Sequence, residues 1–104
     1  MEKKAVIEKI KSVILDYGSF SLYEVDGAEG VSVNSMGNLV AVAEEFNANT
    51  IGVNVYDTSS SNSNEIDFYE MNYDELSEST LEDILFIVEL YEADQSKTIK
   101  RCSN

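Results

Sequence analysis

The sequence predicts a single α+β domain, residues 1–104, in which a helix, three or four antiparallel strands and a second helix follow one another. Apolar residues recur every three or four positions near both ends of the chain, which is typical of amphipathic helices. Between these segments apolar and polar residues alternate, which is typical of half-buried strands. The simplest arrangement is a meander of strands with both helices packed on one face of the sheet.

The first helix is predicted over Glu2 to Tyr17. Its apolar side chains fall at helical spacing and form one stripe, with lysine, glutamate and serine side chains on the other side. Gly18 follows the last apolar position, where a residue without a Cβ can take the left-handed conformation that ends a helix. The stripe consists of Val6, Ile7, Ile10, Val13, Ile14 and Tyr17.

The middle of the chain is predicted to form the sheet, because β-branched and aromatic residues alternate there with polar ones. Turn-forming Asp, Asn and Gly residues separate the segments. One segment has an alternative, since Ala43-Glu44-Glu45 could also continue a helix. The predicted strands are Phe20–Val25, Leu39–Phe46, Thr50–Tyr56 and Glu65–Met71, with a further short extended segment at Val31–Val33.

The second helix is predicted to begin at Ser79. The run Ser79-Thr80-Leu81-Glu82 matches a capping box, in which the serine and glutamate side chains bond to each other's backbone amides. The surface of this helix is apolar over more than one face, so the helix is either deeply buried or has a partner. A homodimer through this helix is one alternative. The core stripe is Leu81, Ile84, Leu85, Val88 and Tyr91, and Phe86, Ile87 and Leu90 widen it.

Two polar segments are expected to be irregular. Residues 58–64, a run of Ser and Asn after Thr58, predict a flexible hairpin loop, and residues from about 97 to 104 predict a frayed tail. The one cysteine, Cys102, lies in that tail. It has no second cysteine for a disulfide and no histidine to activate it, so a catalytic role is not expected.

No catalytic or cofactor-binding motif is found in the sequence. The chain has no histidine, and its five glycines are scattered rather than grouped in a phosphate-binding loop. Adjacent acidic residues could supply paired carboxylates, but neighbouring side chains point apart on helices and strands, so these pairs are expected to be solvated. The pairs are Glu44-Glu45, Asp74-Glu75 and Glu82-Asp83.

A metal site is not expected either. The oxygen-rich run from Asp57 to Glu65 is partly like a calcium loop, but Phe68 stands where such a loop needs a bidentate glutamate. The sequence therefore predicts a protein that is not an enzyme and that takes no cofactor. A carboxylate-based cation-binding domain or enzyme remains a minor alternative.

Charge is distributed very unevenly along the chain, whose net charge is -13. No Lys or Arg lies between Ser12 and Ser96, and that interval holds every acidic residue except Glu2 and Glu8. Its surface must therefore carry a negative field that ion pairs within the interval cannot cancel. The predicted partner-binding residues are Glu65, Asp67, Glu70, Asp74, Glu75, Glu78, Glu82, Asp83 and Glu89.

These charges predict a small interaction protein that docks on a basic partner protein. Closely spaced carboxylates can imitate the phosphates of nucleic acid, so a nucleic-acid mimic or inhibitor of phage or mobile-element type is the sharper form of the hypothesis. Direct binding to nucleic acid is not expected, because the phosphates would be repelled. The alternative is a self-associating structural protein.

No membrane contact is expected, and the default location is the cytoplasm. The longest apolar run, Ile84 to Val88, has five residues, whereas a helix that spans a bilayer needs about twenty.

Overall fold

A computed structural model of the chain describes residues 2–102, with side chains through residue 96. Two helices flank five strands in the chain order, which confirms the predicted α+β fold. The helices are α1 (Lys3–Tyr17) and α2 (Glu78–Cys102), and the strands are β1 (Phe20–Ser21), β2 (Val31–Met36), β3 (Leu39–Phe46), β4 (Thr50–Asp57) and β5 (Asn64–Asn72). Short 3-10 helical turns lie at Leu22–Glu24 and Tyr73–Glu75.

The strands form one antiparallel sheet in the order β1-β3-β4-β5, and β2 also pairs with β3. From β2 to β5 consecutive strands are neighbours, as the predicted meander requires. Both β1 and β2 lie along the same edge of β3, where Phe20 pairs with Phe46 and Val31 pairs with Ala43. The opposite edge of the sheet is β5, which pairs with β4.

The core lies between this sheet and the two helices. The predicted stripe of α2 is buried, and so is that of α1 except for the partly buried Ile7 and Tyr17; the two stripes pack on each other and on one face of the sheet. Gly18 ends α1 with a φ of 90°, and its amide donates to the Ile14 carbonyl at 2.7 Å. A side chain would be strained at this φ, which explains the glycine. The buried residues on the covered sheet face include Ala41, Ala43, Ile51 and Val53.

The first strand is shorter than the sequence predicts. Pairing stops at Ser21, and the chain turns through Leu22–Glu24, where the Ser21 amide donates to Glu24 Oε2 at 3.0 Å. The physical reason is competition for one edge, because β1 and β2 both pair with β3 and cannot occupy the same positions. The prediction of strand as far as Val25 is therefore wrong.

The predicted N-cap of the second helix is also wrong, by two residues. Helix α2 begins at Glu78, so Ser79 is already helical. The Thr80 amide donates to Ser77 Oγ at 3.3 Å, and Ser77 Oγ also bonds to Thr80 Oγ1 at 2.9 Å. Ser77 therefore satisfies a free amide of the first turn, as an N-cap residue does.

Two predictions about irregular segments stay predictions. Residues 58–63 connect β4 to β5, and the Ser59 amide donates to Asp57 Oδ1 at 2.9 Å. This bond, with a second from the Ser59 side chain, lowers the pKa of Asp57 below its usual range. The predicted frayed tail runs from about residue 97 to residue 104. Its side chains, and residues 103–104 altogether, lie outside the described part of the chain.

Tyr73 anchors the junction between β5 and α2. It is 1% exposed, and its hydroxyl donates to the Asn47 carbonyl at 2.8 Å. Burial raises the pKa of Tyr73 far above the ordinary value of 10.0. Burial also raises the pKa of Tyr91, with a further contribution from the charges of Glu24 and Asp94.

These raised pKa values predict a loss of stability in alkali. Above about pH 10 an unfolded tyrosine releases its proton while buried Tyr73 keeps it, so the free energy of unfolding falls as the pH rises further and is fully retained below that range. We expect Tyr73→Phe to cost about 1 kcal/mol near neutral pH, through the lost hydrogen bond, and to make the alkaline loss smaller. Urea denaturation at about pH 8 and about pH 11 measures both effects. An alkaline loss that is equally steep in both proteins would contradict the prediction.

Candidate functional site

All nine predicted partner-binding carboxylates are exposed. They lie on three consecutive parts of the chain, which are β5, the turn that follows it and the first half of α2. The β5 group is Glu65, Asp67 and Glu70, the turn carries Asp74 and Glu75, and α2 carries Glu78, Glu82, Asp83 and Glu89.

The fold does not bring all nine together in one patch. Asp83 borders a groove beside β2, whereas Glu65, Asp67 and Glu70 lie on β5 at the other edge of the sheet. Three strand spacings separate β2 from β5, which is roughly 14 Å. Asp83 therefore lies apart from the carboxylates of β5.

Some of these acidic positions already have contacts within the chain. Asp67 Oδ1 accepts from the Phe68 amide at 2.8 Å, and Glu70 Oε2 is 3.5 Å from Thr50 Oγ1. At Asp74 the backbone carbonyl accepts from Lys3 Nζ at 2.7 Å, which leaves the side-chain carboxylate out of that bond. Each carboxylate has several acceptor positions, so these contacts leave oxygen atoms that can bind a cation.

Glu44 is a carboxylate whose environment the sequence does not predict. It is 6% exposed, so the expectation that the Glu44-Glu45 pair is solvated is wrong for this residue. Its Oε1 accepts from the Tyr56 hydroxyl at 2.6 Å, and its Oε2 accepts from the Tyr23 hydroxyl at 3.1 Å and from Asn54 Nδ2. A buried carboxylate is stable only when partners of this kind replace its water.

A β-bulge explains the position of Glu44. Ala43 pairs with Val53 and Glu45 pairs with Gly52, so Glu44 is an extra residue in β3. Asn54 and Tyr56 alternate with the core residues of β4 and so lie on the face of the sheet that the helices leave uncovered. The sequence signal is two hydrogen-bond donors spaced two apart on β4, but the bulge that brings Glu44 to them cannot be seen in the sequence.

The Glu44 cluster comprises Glu44, Tyr23, Asn54 and Tyr56, and within it Tyr56 holds its proton firmly. Burial, followed by the hydrogen bonds with Glu44 and Tyr23, raises the pKa of Tyr56 well above that of a free tyrosine. The phenol therefore remains a donor to the carboxylate near neutral pH. Both Glu44 oxygens are used within the chain, which gives this cluster a structural role on the sheet.

A groove lies between α2 and the segment that leads into β2. Its volume is about 570 Å³, which is within the range of sites that bind ligands. Val31 and Ile87 are buried beneath it, while Phe86 is 64% exposed beside it. Two carboxylates, Glu29 and Asp83, border the groove and are exposed.

The exposure of the second helix differs among the three residues that widen its apolar surface. Ile87 is buried within its own chain and Leu90 is half-buried, whereas Phe86 is exposed. The apolar surface that α2 leaves for a partner is therefore smaller than the sequence indicates, and Phe86 contributes it at the groove.

Three comparisons, with protein-family models, with curated proteins and with solved structures, find no match for this chain. Among the described residues, no group of three or more His, Cys, Asp or Glu side chains is placed to hold a metal ion. No helix within the described part of the chain is both long and apolar enough to cross a bilayer.

Proposed function

We propose that this chain is a small non-catalytic interaction protein whose acidic surface docks on a basic partner protein. The observation that carries the proposal is the exposure of all nine predicted carboxylates in a region with no Lys or Arg between Ser12 and Ser96. A negative field that is not cancelled locally attracts a basic protein over long range and raises its rate of association. The cytoplasmic location expected from the sequence remains a prediction.

The sharper form of this proposal is a mimic of nucleic acid that occupies the binding surface of a DNA- or RNA-binding protein. Such surfaces are rich in Lys and Arg and bind phosphate with a strong dependence on salt. Closely spaced carboxylates on β5, the turn and α2 can imitate the phosphates of a nucleic-acid strand. Displacement of DNA or RNA from the captured partner is the additional result that this form requires.

Charge reversal tests the docking proposal directly. The triple variant Asp74→Lys, Glu75→Lys and Glu82→Lys reverses three exposed charges on the turn and α2. We expect its affinity for the partner to fall at least about tenfold, because each introduced Lys repels the basic partner where the carboxylate attracted it. The measurement is capture from a lysate of the source cells on immobilised protein, with nuclease present, followed by washes at low and high salt.

A matched control separates a docking surface from a general effect of net charge. The variant Glu2→Lys, Glu8→Lys and Asp16→Lys changes the net charge by the same amount at exposed positions outside the nine. It should retain the partner that the first variant loses. Equal retention by both variants, or no specific protein retained at low salt by the wild type, would contradict the proposal.

Self-association is the second candidate function, and the exposure of Phe86 favours it. An exposed aromatic side chain beside a groove can contribute to an interface between two copies. The mass in solution over a range of protein concentrations decides between the two. A chain that stays monomeric at high concentration would exclude self-association and leave docking on a different protein.

A further inference from the structure

The groove beside β2 combines an exposed aromatic side chain with a negative rim. Val31 is 5% exposed and Ile87 is 3% exposed, so both close the base of the groove but leave little of their own surface open. Phe86 stands beside them with most of its surface open to solvent. Glu29 lies on the segment before β2 and Asp83 lies one helical turn before Phe86 and Ile87, so carboxylates border the groove from both of its walls.

The strand that forms one wall of the groove has a free edge. Val31 and Ser32 pair with Ala43 and Val42 of β3, and within residues 2–102 no strand pairs with the other side of β2. An extended peptide can add to such an edge through main-chain hydrogen bonds, while its side chains select the site. A register shift between Ser32 and Asn34 interrupts the regular pairing, so the accessible stretch is short.

The charges that line the groove determine which kind of peptide segment can bind in it. Among the side chains that the structure describes, the ionisable ones that line the groove are both carboxylates, at Glu29 and Asp83. An acidic peptide or a nucleic acid would meet repulsion there, whereas Lys or Arg would meet attraction. The exposed ring of Phe86 favours an aliphatic or aromatic side chain, because contact removes apolar surface of both from water.

We propose that an extended segment of the basic partner, in which an apolar side chain is flanked by Lys or Arg, binds in the groove between β2 and α2. The inference rests on the proposed function and names the place and mode of docking. The apolar anchor packs on Phe86. The flanking cations pair with Glu29 and Asp83.

Two synthetic peptides and the ¹⁵N-labelled protein test this inference by NMR. One short acetylated peptide alternates Lys and Leu, and its matched control has Ser in place of each Leu. We expect saturable amide shifts confined to residues 27–32 and 83–87 with the Leu peptide, and binding weaker by about tenfold with the Ser peptide. Phe86→Ser should weaken binding of the Leu peptide by a similar factor.

Phe68→Ser is the matched control variant. Phe68 is 44% exposed on β5, and it pairs with Asn54, so it lies at the far edge of the sheet and on its uncovered face. This variant should bind the Leu peptide as the wild type does. Circular dichroism of both variants confirms that neither result reflects unfolding.

The possible failures are distinguishable. Salt-sensitive binding of the Leu peptide with amide shifts on β5 or elsewhere would overturn the groove as the binding site. Equal effects of Phe86→Ser and Phe68→Ser would do the same. Either result leaves the acidic docking proposal in place. Failure of the Leu peptide to bind at low salt would also overturn the groove as the binding site. The charge-reversal variants would then test the docking proposal separately. Shifts at residues 27–32 and 83–87 that follow protein concentration alone would identify a second copy as the occupant and reject the inference.

Discussion

Replacement of Phe46 by alanine is expected to lower the free energy of unfolding by about 3 to 5 kcal/mol. Phe46 is 0% exposed at the end of β3, and its ring centroid lies 5.1 Å from that of Phe20. Phe20 in turn stacks on Tyr91, with centroids 4.0 Å apart and planes 7° from parallel. These three rings join β1, β3 and α2, so the loss of Phe46 leaves a cavity at the point where helix and sheet meet.

Urea denaturation followed by circular dichroism measures this loss. Phe86→Ala removes the same atoms from an exposed position and should change the free energy of unfolding by no more than about 0.5 kcal/mol. A domain of this size is stable by about 5 to 15 kcal/mol, so Phe46→Ala could leave little folded protein. Phe46→Leu then provides a measurable intermediate. Equal losses from Phe46→Ala and Phe86→Ala would contradict the aromatic cluster.

The helices could be predicted because their signals are local. The spacing of Val6, Ile10 and Val13 alone defines the buried face of α1, and Gly18 marks its end. The same holds for Leu39–Phe46, where β3 has the predicted bounds and buries Ala41 and Ala43. In these segments the residues that determine the structure are close in the sequence.

Other features depend on residues that are far apart in the sequence. The length of β1 is limited by β2, which pairs with the same edge of β3. The burial of Glu44 depends on a bulge that exists only in the pairing of β3 with β4. Sequence patterns describe one segment at a time, so they cannot supply a relation between strands.

The candidate docking surface also combines local features, which the sequence predicts, with features that depend on distant residues. The exposure of each of the nine carboxylates follows from the preference of Asp and Glu for water. Their grouping does not, because the chain crosses from β5 to α2 between Glu70 and Glu78. The groove beside Asp83 is lined on its other side by residues 27–32, more than fifty positions earlier in the chain. No local sequence pattern predicts it.

Removal of the Glu44 side chain should have the second large effect on stability. We expect Glu44→Ala to lower the free energy of unfolding by about 2 to 3 kcal/mol, because it takes the acceptor away from Asn54 and Tyr56 and leaves a gap beside them. Tyr23 contributes less, because it is 78% exposed and its hydroxyl can bond to water instead. Urea denaturation near neutral pH measures the change.

Two further variants identify the cause of that loss. Glu44→Gln keeps the size of the side chain, and its amide can donate to the Tyr56 oxygen while its carbonyl accepts from Asn54, so we expect a loss of only about 1 kcal/mol. The triple variant Glu44→Leu, Asn54→Leu and Tyr56→Phe removes the charge and both half-buried donors together. Because a buried charge is costly even when it is paired, the triple variant should be nearly as stable as the wild type or more stable. If it is instead less stable than Glu44→Ala, packing around Glu44 rather than its unsatisfied partners determines the stability of this face of the sheet.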